Sequence, residues 1–453
     1  MRAASRWILP ALSALCWGLS RIFYRLQVDG SPVPSEGPVL LVANHTNSLV
    51  DPIVVTGTAS RPIRFLAKAP LFDDARVGWL VKAAGAIPVY RKQDDPTVMS
   101  RNRNVFEAVC EALAKGAAIG IFPEGISHSD PSLAEIKTGA ARIALGAYEQ
   151  TGEAFPIIPV GMVPERKQHF RSEMRAVIGQ PIAWEDLAGR GTEDRAAVEE
   201  LTSRIGAGLR GVTLNLERWE DRPLVEAAES IWGLERGEAA GPAQQVNRFE
   251  ITTRILAAVR RGSFQRWTEL VRDLDTHLRR LMLFRLRPAD LHAGTSLRSA
   301  VRWSVRRLYM LGAPVVIVTL LGFAIFSVPR YATGAVTSKL GPTVDAESTY
   351  KLLLGVPIYT AWVLALSLAG AMISGLWTGL AALVFLPVIG IVGLWVRERW
   401  RWVASDVRRF VVLRSRSLVI DELRTEQERL SRELGDLFDA WEAGLLTSGR
   451  TRT

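Results

Sequence analysis

Two short polar segments follow apolar runs and carry the residue types best suited to chemistry. The first comes directly after Val39–Ala43 and is Asn44-His45-Thr46-Asn47-Ser48-Leu49-Val50-Asp51-Pro52. The second, Phe122-Pro123-Glu124-Gly125, ends the apolar run that begins at Ala118. A histidine with a carboxylate in reach is the smallest unit that can act as an oriented general base. Because α/β folds gather their chemistry where strands end, the two segments predict an acyl-transfer site.

The histidine of the first segment differs from the others in its surroundings. The chain contains five histidines, and a lone histidine after a strand is more often structural than catalytic. Core packing would not select the polar neighbours of His45, which are Asn44, Thr46, Asn47, Ser48 and Asp51. We therefore predict that His45 is the base and Asp51 its orienting group. His128 remains a further candidate, since it comes just after the Glu-Gly turn.

A sheet is needed to bring these segments together, and the chain alternates strand and helix patterns from residue 31 to residue 212. Strands are expected at 39–43, 63–67, 87–89, 118–122, 157–160 and 175–178. Helices are expected after Asp51 and at 77–84, 95–115 and 133–150. The third helix has Asp95 as N-cap, Pro96 in its first turn and Gly116 just past its end. The alternation predicts an α/β domain.

The regions on either side of this domain have helical patterns. Residues 1–30 contain an apolar, aromatic stretch that is short for a membrane span, so we predict an interfacial helix there. Residues 213–307 are rich in Arg, Glu, Leu and Ala and predict a helical subdomain. Residues 398–453 predict an amphipathic helical tail, solvated or dimerising, with its helix at about 418–446.

Residues 308–397 contain the most apolar part of the chain. Leu308–Pro329 has no charged residue and is long enough to cross a bilayer. Leu352–Val396 is also uncharged and has about twice the length of one span. A break expected at Ser374-Gly375 would divide it into a hairpin of two transmembrane helices.

The arginines around these apolar segments conflict with three full crossings. One cluster precedes the first segment and another follows the last: Arg298, Arg302, Arg306 and Arg307, then Arg397, Arg399, Arg401, Arg408 and Arg409. Cationic flanks favour the cytoplasmic side, so both ends should face the cytoplasm. Three crossings would put them on opposite sides. Either one segment fails to span, as a re-entrant or interfacial helix, or the charge rule is broken here.

The net charge of +10 indicates an anionic partner. Nucleic acid is disfavoured because no zinc spacing or recognised nucleic-acid module accompanies the charge. Arginines beside apolar segments fit anionic lipid head groups, so a lipid bilayer is the expected partner. The two cysteines, Cys16 and Cys110, lie far apart in unlike contexts. They predict neither a disulfide framework nor a metal site and fit a reducing cytoplasm.

Four short blocks, in order, make the chain similar to the glycerolipid acyltransferase family. Residues 44–52 resemble the first block, 85–91 the second, 122–125 the third and 158–161 the fourth. The resemblance covers roughly residues 38–182. It implies a glycerolipid acyltransferase-like α/β domain, here at residues 31–212, in which His45 and Asp51 form the catalytic pair.

The resemblance also implies roles for residues that bind substrate. Arg91 would bind the acceptor phosphate, while Lys68 and Lys137 are weaker candidates that could equally be solvated surface charges. Glu124 would contact acceptor hydroxyls or position Arg91, and backbone N–H groups near Gly125 would hold the tetrahedral oxyanion. No cofactor is implied; the co-substrate is an acyl thioester, either acyl-CoA or an acyl carrier protein. No G-x-S-x-G serine indicates an acyl-enzyme.

Two features depart from the common family pattern. Five residues rather than four separate His45 from Asp51, and Ser127 stands where an arginine is common. On a regular helix the extra residue would turn Asp51 by about 100° relative to His45, so a loop or 3₁₀ start before the helix would be needed to absorb it. Both departures recur in one branch of the family, the fungal-type glycerol-3-phosphate and dihydroxyacetone-phosphate acyltransferases with their bacterial relatives. That branch also carries C-terminal membrane segments.

The resulting prediction is a membrane-bound acyltransferase of phospholipid biosynthesis whose acceptor is glycerol 3-phosphate or dihydroxyacetone phosphate. Its catalytic domain would face the cytoplasm, at the plasma membrane if the source is bacterial. One alternative is acylation of 1-acyl-sn-glycerol 3-phosphate, which differs in acceptor size. Another is a catalytically silent membrane scaffold, which the longer His–Asp spacing keeps open.

Overall fold

A computed structural model describes residues 2–59, 61–75, 77–90, 102–235, 249, 251–257, 259, 265–293, 296, 301 and 312–443. The chain divides into two compact units. The first contains the chain up to Leu216 together with Thr343–Thr349, and the second contains most of the remainder. Each unit is described by itself below.

The first unit is built on a seven-stranded sheet with the order β1-β7-β6-β2-β5-β3-β4. Its strands are β1 (Arg25–Gly30), β2 (Val39–Ala43), β3 (Ile63–Lys68), β4 (Ile87–Val89), β5 (Ala118–Ile121), β6 (Ile157–Pro164) and β7 (Glu173–Ile178). Neighbouring strands are parallel except β6 and β7, which are antiparallel. The central strand β2 is buried along its whole length, as its uninterrupted apolar sequence predicts. The predicted α/β fold is therefore confirmed.

Eight helices accompany this sheet in the described part of the unit. They are α1 (Arg2–Phe23), α2 (Val50–Thr58), α3 (Pro70–Asp73), α4 (Gly78–Ala83), α5 (Asn102–Ala114), α6 (Gly139–Thr151), α7 (Glu185–Ala188) and α8 (Arg195–Arg210). Side chains from α5, α6 and α8 share one buried core with β2 and β5, including Leu113, Leu145 and Leu201. The core fixes the sheet rigidly beneath the strand ends that carry the polar segments.

Two sequence predictions for this unit were wrong. Arg25–Gly30 was placed with the N-terminal helix, but it is β1 and pairs in parallel with β7. Its polar and apolar residues alternate from Arg25 to Asp29, a strand signal that the assignment to the helix overlooked. The helix predicted at 133–150 begins only at Gly139. Ala134 and Lys137 instead donate their backbone N–H groups to Glu124 (2.8 Å) and to the Pro123 carbonyl (2.9 Å). These tertiary hydrogen bonds outweigh local helix propensity. Residues 95–101 of another predicted helix lie outside the described residues.

The second unit contains the helical subdomain and the apolar helices. Its described helices include α9 (Arg222–Glu235), α10 (Gln265–Leu283), α11 (Ala313–Leu340), α12 (Glu347–Ser374), α13 (Leu376–Ser415) and α14 (Ser417–Glu442). The first residues of α12 belong to the first unit, and the second unit contains α12 from Tyr350 onward. The tail helix α14 is not a solvated appendage, since Leu430 and Leu434 share a buried core with Ile231 and Leu274. The apolar hairpin breaks at the predicted Ser374-Gly375 pair, where Gly375 has a φ of 93°.

Three helices, α11, α12 and α13, are long and apolar enough to cross a membrane. In the described residues, these three helices have the length and the apolar composition of a membrane span. It agrees with the membrane association predicted from the sequence.

Candidate active site

The two polar segments meet because they leave neighbouring parallel strands at the same level. Val39 pairs with Ala118 and Val42 with Ile121, so β2 and β5 end side by side. The backbone N–H of His45 then donates to Glu124 Oε1 at 2.7 Å. In return, the N–H of His128 donates to the His45 carbonyl at 3.1 Å. The first and third sequence blocks are thus joined by direct hydrogen bonds.

His45 and Asp51 form a contact within the first segment. His45 Nδ1 lies 2.9 Å from Asp51 Oδ2, and the carboxylate is fully buried. The same oxygen accepts the backbone N–H groups of Thr46 and Asn47, both at 2.7 Å. Because α2 begins at Val50, residues 45–49 form a loop that wraps around the carboxylate. The loop absorbs the additional residue between His45 and Asp51.

The imidazole of His45 is held flat against an aromatic ring. Its centroid lies 4.1 Å from that of Phe122, with 14° between the planes, and Phe122 stacks on Phe65 in turn. The side chain keeps 19% of its surface exposed. With Nδ1 committed to Asp51, Nε2 is the ring nitrogen that can meet a substrate.

Glu124 has protein partners on both of its carboxylate oxygens. Its side chain is almost fully buried. One carboxylate oxygen binds the N–H of His45, and the other binds the N–H of Ala134 and His128 Nε2. These bonds place Glu124 at the joint between the two blocks, where a buried carboxylate needs such donors. Its predicted roles toward the acceptor hydroxyls and Arg91 stay predictions.

Gly125 occupies a left-handed conformation, with a φ of 72°, in the turn after β5. Its N–H donates to the Phe122 carbonyl at 3.0 Å, so this group is already committed. The next N–H groups, of Ile126 and Ser127, are the candidate oxyanion donors. Lys137 Nζ lies 2.9 Å from the point that a Cβ would occupy at Gly125. This places one predicted cation beside the turn, while the positive φ is what favours glycine there.

Another predicted cation, Lys68, belongs to β3, the strand that pairs with β5 on the side away from β2. Lys68 is the exposed last residue of β3 and pairs with Val89 of β4. Arg91 follows Val89 by two residues and lies outside the described residues. The register between β3 and β4 brings the backbone of Lys68 beside the second sequence block, and the two lysines and Arg91 remain predicted phosphate ligands.

Lys167 is a site residue that the sequence did not reveal. From the loop between β6 and β7, its ammonium group donates to the Thr46 carbonyl (2.5 Å), Ser129 Oγ (2.8 Å) and the His128 carbonyl (3.2 Å). Burial lowers the pKa of Lys167, and nearby carboxylates, chiefly Asp51, act against this. Its only sequence signal was a polar stretch following the fourth block.

The segment before β1 also reaches the first block. Tyr24 is fully buried, its hydroxyl donates to the Lys167 carbonyl at 2.5 Å, and it accepts the side-chain amide of Asn47 at 2.6 Å. Burial raises the pKa of the Tyr24 phenol well above its usual range, so the group stays neutral. Tyr24 and Lys167 thus hold the loop around Asp51 from outside.

Comparisons with known proteins agree with this geometry. Residues 25–163, starting at β1, match a family model described as Acyltransferase. Glycerol-3-phosphate O-acyltransferase 1 of Saccharomyces cerevisiae is 25% identical over 322 residues, covering 51% of this chain and 42% of that protein. Glycerol-3-phosphate O-acyltransferase 2 of the same yeast is 32% identical over 134 residues, covering 29% and 18%.

A bacterial protein whose name gives a different acceptor is also similar. The 1-acyl-sn-glycerol-3-phosphate acyltransferase of Bacillus subtilis is 27% identical over 179 residues, covering 38% of this chain and 82% of that protein. The chain spans less than half the length of the two yeast relatives that it matches. These matches confirm the resemblance carried by the four blocks.

Proposed function

We propose that the chain is a membrane-bound O-acyltransferase, on the premise that residues 25–163 match the Acyltransferase family model. It transfers a fatty acyl group from an acyl thioester, acyl-CoA or acyl carrier protein, to glycerol 3-phosphate or dihydroxyacetone phosphate. The observation that carries the proposal is the 2.9 Å contact between His45 Nδ1 and the buried Asp51 carboxylate. A buried carboxylate fixes the imidazole tautomer and stabilises the imidazolium that forms during base catalysis.

In the proposed mechanism, His45 Nε2 takes the proton of the acceptor hydroxyl while its oxygen attacks the thioester carbonyl. The N–H groups of Ile126 and Ser127 stabilise the tetrahedral oxyanion. The carbon–sulfur bond then breaks, and the thiolate takes the proton from the imidazolium. The acceptor phosphate binds Arg91, with Lys68 and Lys137 as further ligands. The catalytic domain faces the cytoplasm, at the plasma membrane in a bacterium.

A second candidate acceptor is 1-acyl-sn-glycerol 3-phosphate. The similarity that covers 82% of the Bacillus subtilis protein favours it, whereas the longer matched region of the first yeast protein favours the smaller acceptors. Both candidates use the same base and the same donor. The silent-scaffold alternative is disfavoured by the intact His45–Asp51 contact.

The test uses the full chain in lipid nanodiscs with labelled palmitoyl-CoA and each acceptor in turn: glycerol 3-phosphate, dihydroxyacetone phosphate and 1-acyl-sn-glycerol 3-phosphate. We expect product with the small acceptors and its loss in His45→Ala. Product with the lysolipid alone would assign the second candidate. Absence of product with every acceptor, from palmitoyl-CoA and from palmitoyl carrier protein alike, would overturn the proposal in favour of a scaffold.

A further inference from the structure

Thr343–Thr349 joins two apolar helices, yet it belongs to the unit that contains the active site. The segment connects α11 to α12 and includes the first residues of α12. Ser348 and Thr349 are buried. We call residues 343–349 the helix junction.

The helix junction contacts the loop that separates His45 from Asp51. Thr349 Oγ1 accepts the backbone N–H of Leu49 at 3.1 Å. Ser48 Oγ lies 3.4 Å from Asp345 Oδ2. Ser348 Oγ donates to the Lys167 carbonyl at 2.6 Å. Its contacts are therefore with the catalytic loop itself and with the lysine that supports that loop.

These contacts fall on the residues where the spacing departs from the family pattern. Ser48 has a φ of 44°, a left-handed conformation that non-glycine residues adopt only where their surroundings hold them there. The two N–H groups at this bend have side-chain acceptors from elsewhere in the chain, Ser127 Oγ for Ser48 (3.0 Å) and Thr349 Oγ1 for Leu49 (3.1 Å). Ser127 is the second departure from the family pattern. Both departures and the helix junction therefore meet at the same bend, residues 48–49.

We propose that the helix junction is a positioning element of the active site, which holds the bend at residues 48–49 so that Asp51 reaches His45. Thr349 acts through the backbone of Leu49, and Ser348 acts through Lys167. The helix junction thus supplies part of the catalytic geometry. The inference deepens the proposed function and rests on it.

The kinetic test replaces the Thr349 hydroxyl in the full chain in nanodiscs. Thr349→Val keeps the shape but removes the acceptor, and we expect kcat to fall about tenfold or more while KM for both substrates changes little, since misplacing a catalytic group slows the chemical step. Thr349→Ser should restore most of kcat. Thr360→Val is the matched control, because the Thr360 hydroxyl bonds only within α12 and is exposed.

A structural test does not depend on activity. Ser48→Cys combined with Asp345→Cys should form a disulfide under mild oxidation, detected as a linked peptide by mass spectrometry, whereas neither single variant should. Wild-type kinetics in Thr349→Val, or no link in the double variant, would overturn the inference while leaving the proposed function intact if the wild type makes product. Loss of product in the wild type would instead count against the proposed function.

Discussion

Asp51 receives three hydrogen bonds on a single oxygen, and this arrangement determines the effect expected from its replacement. Asp51→Asn retains an acceptor for the N–H groups of Thr46 and Asn47, but it removes the charge that stabilises the His45 imidazolium. We expect kcat to fall about 10²–10⁴-fold with a small change in KM. Steady-state kinetics in nanodiscs would check this. Asp29→Asn, at a sheet-edge ion pair with Arg175, serves as the control.

Lys167 offers a second prediction at the residue scale. Lys167→Met should leave the carbonyls of Thr46 and His128 without their donor and lower the free energy of unfolding by about 1–3 kcal/mol. Lys115→Met is the matched control, because Lys115 forms an exposed pair with Glu111 and such pairs contribute about 0–1 kcal/mol. Denaturant titration of both variants in one detergent makes the comparison. Equal stabilities would contradict the bridging role of Lys167.

The sequence could identify His45 and Asp51 but not the residues that support them. The catalytic pair is a local pattern, six residues apart, with polar neighbours in an apolar context. Lys167 and Thr349 contact the same loop from 121 and 300 residues away. No local pattern encodes such contacts. Glu124 was found from its motif, but its bonds to His45 and Ala134 were not, because they form only once the fold brings these segments together.

The N-terminal helix α1 is tied to the sheet at its end. The Arg171 guanidinium donates to the carbonyls of Arg21, Ile22 and Tyr24, and its backbone N–H donates to that of Phe23. These bonds satisfy carbonyls that a helix end leaves unpaired. One face of α1 packs on α2, while Leu15, Trp17 and Ile22 remain exposed. An exposed apolar face on an anchored helix is what the predicted interfacial role requires, and that role stays a prediction.

Removing the Arg171 guanidinium should loosen α1. In the wild type, Cys16 is buried on the face of α1 that meets Gly57 of α2, and burial raises the pKa of its thiol to about 11. Cys16 should therefore react slowly with maleimide near neutral pH. In Arg171→Ala we expect labelling of Cys16 to rise about tenfold or more, since charge-assisted hydrogen bonds of about 1.5–3 kcal/mol are lost.

The same experiment contains two controls. Cys110 lies in the core of the first unit, and its pKa is also raised to about 11, so it should stay unlabelled in both proteins. Arg166→Ala changes an exposed arginine of the same loop and should leave Cys16 protected. Labelling of Cys110 in Arg171→Ala would indicate general unfolding rather than release of α1.

Element boundaries were predictable where local signals dominated. β2, β4 and the break between α12 and α13 match their sequence patterns because each combines an apolar run with a clear end. The start of α6 depends on tertiary hydrogen bonds and was missed, whereas β1 was missed although its polar and apolar residues alternate. The tail helix α14 was recognised as amphipathic, but its pattern could not identify the helices that cover its apolar stripe.

At the scale of the whole molecule, the membrane helices can be tested for sidedness. Val344→Cys, in the exposed part of the helix junction, should react with a membrane-impermeant maleimide from the face that carries the active site. Ser374→Cys, at the turn between α12 and α13, should be protected from that face. The two native cysteines are buried and should contribute little background. Labelling in vesicles of known orientation tests on which face each position lies. Modification of both positions from one face alone would contradict the prediction.

The bond between Thr349 and Leu49 also limits the path of the chain through the bilayer, because the number of crossings between Leu216 and the helix junction must be even. The helix junction must emerge on the active-site face, and so must the chain that leaves this domain at Leu216. In the described residues between 217 and 301 no helix is a candidate span. The Arg397 guanidinium lies 5.7 Å from the ring centroid of Phe323 in α11, and α11 packs along the apolar part of α13 through Gly322 and Phe326. Crossings by α12 and α13 would return the chain after α13 to the active-site face, so the side of the first arginine cluster depends on whether α11 crosses as well.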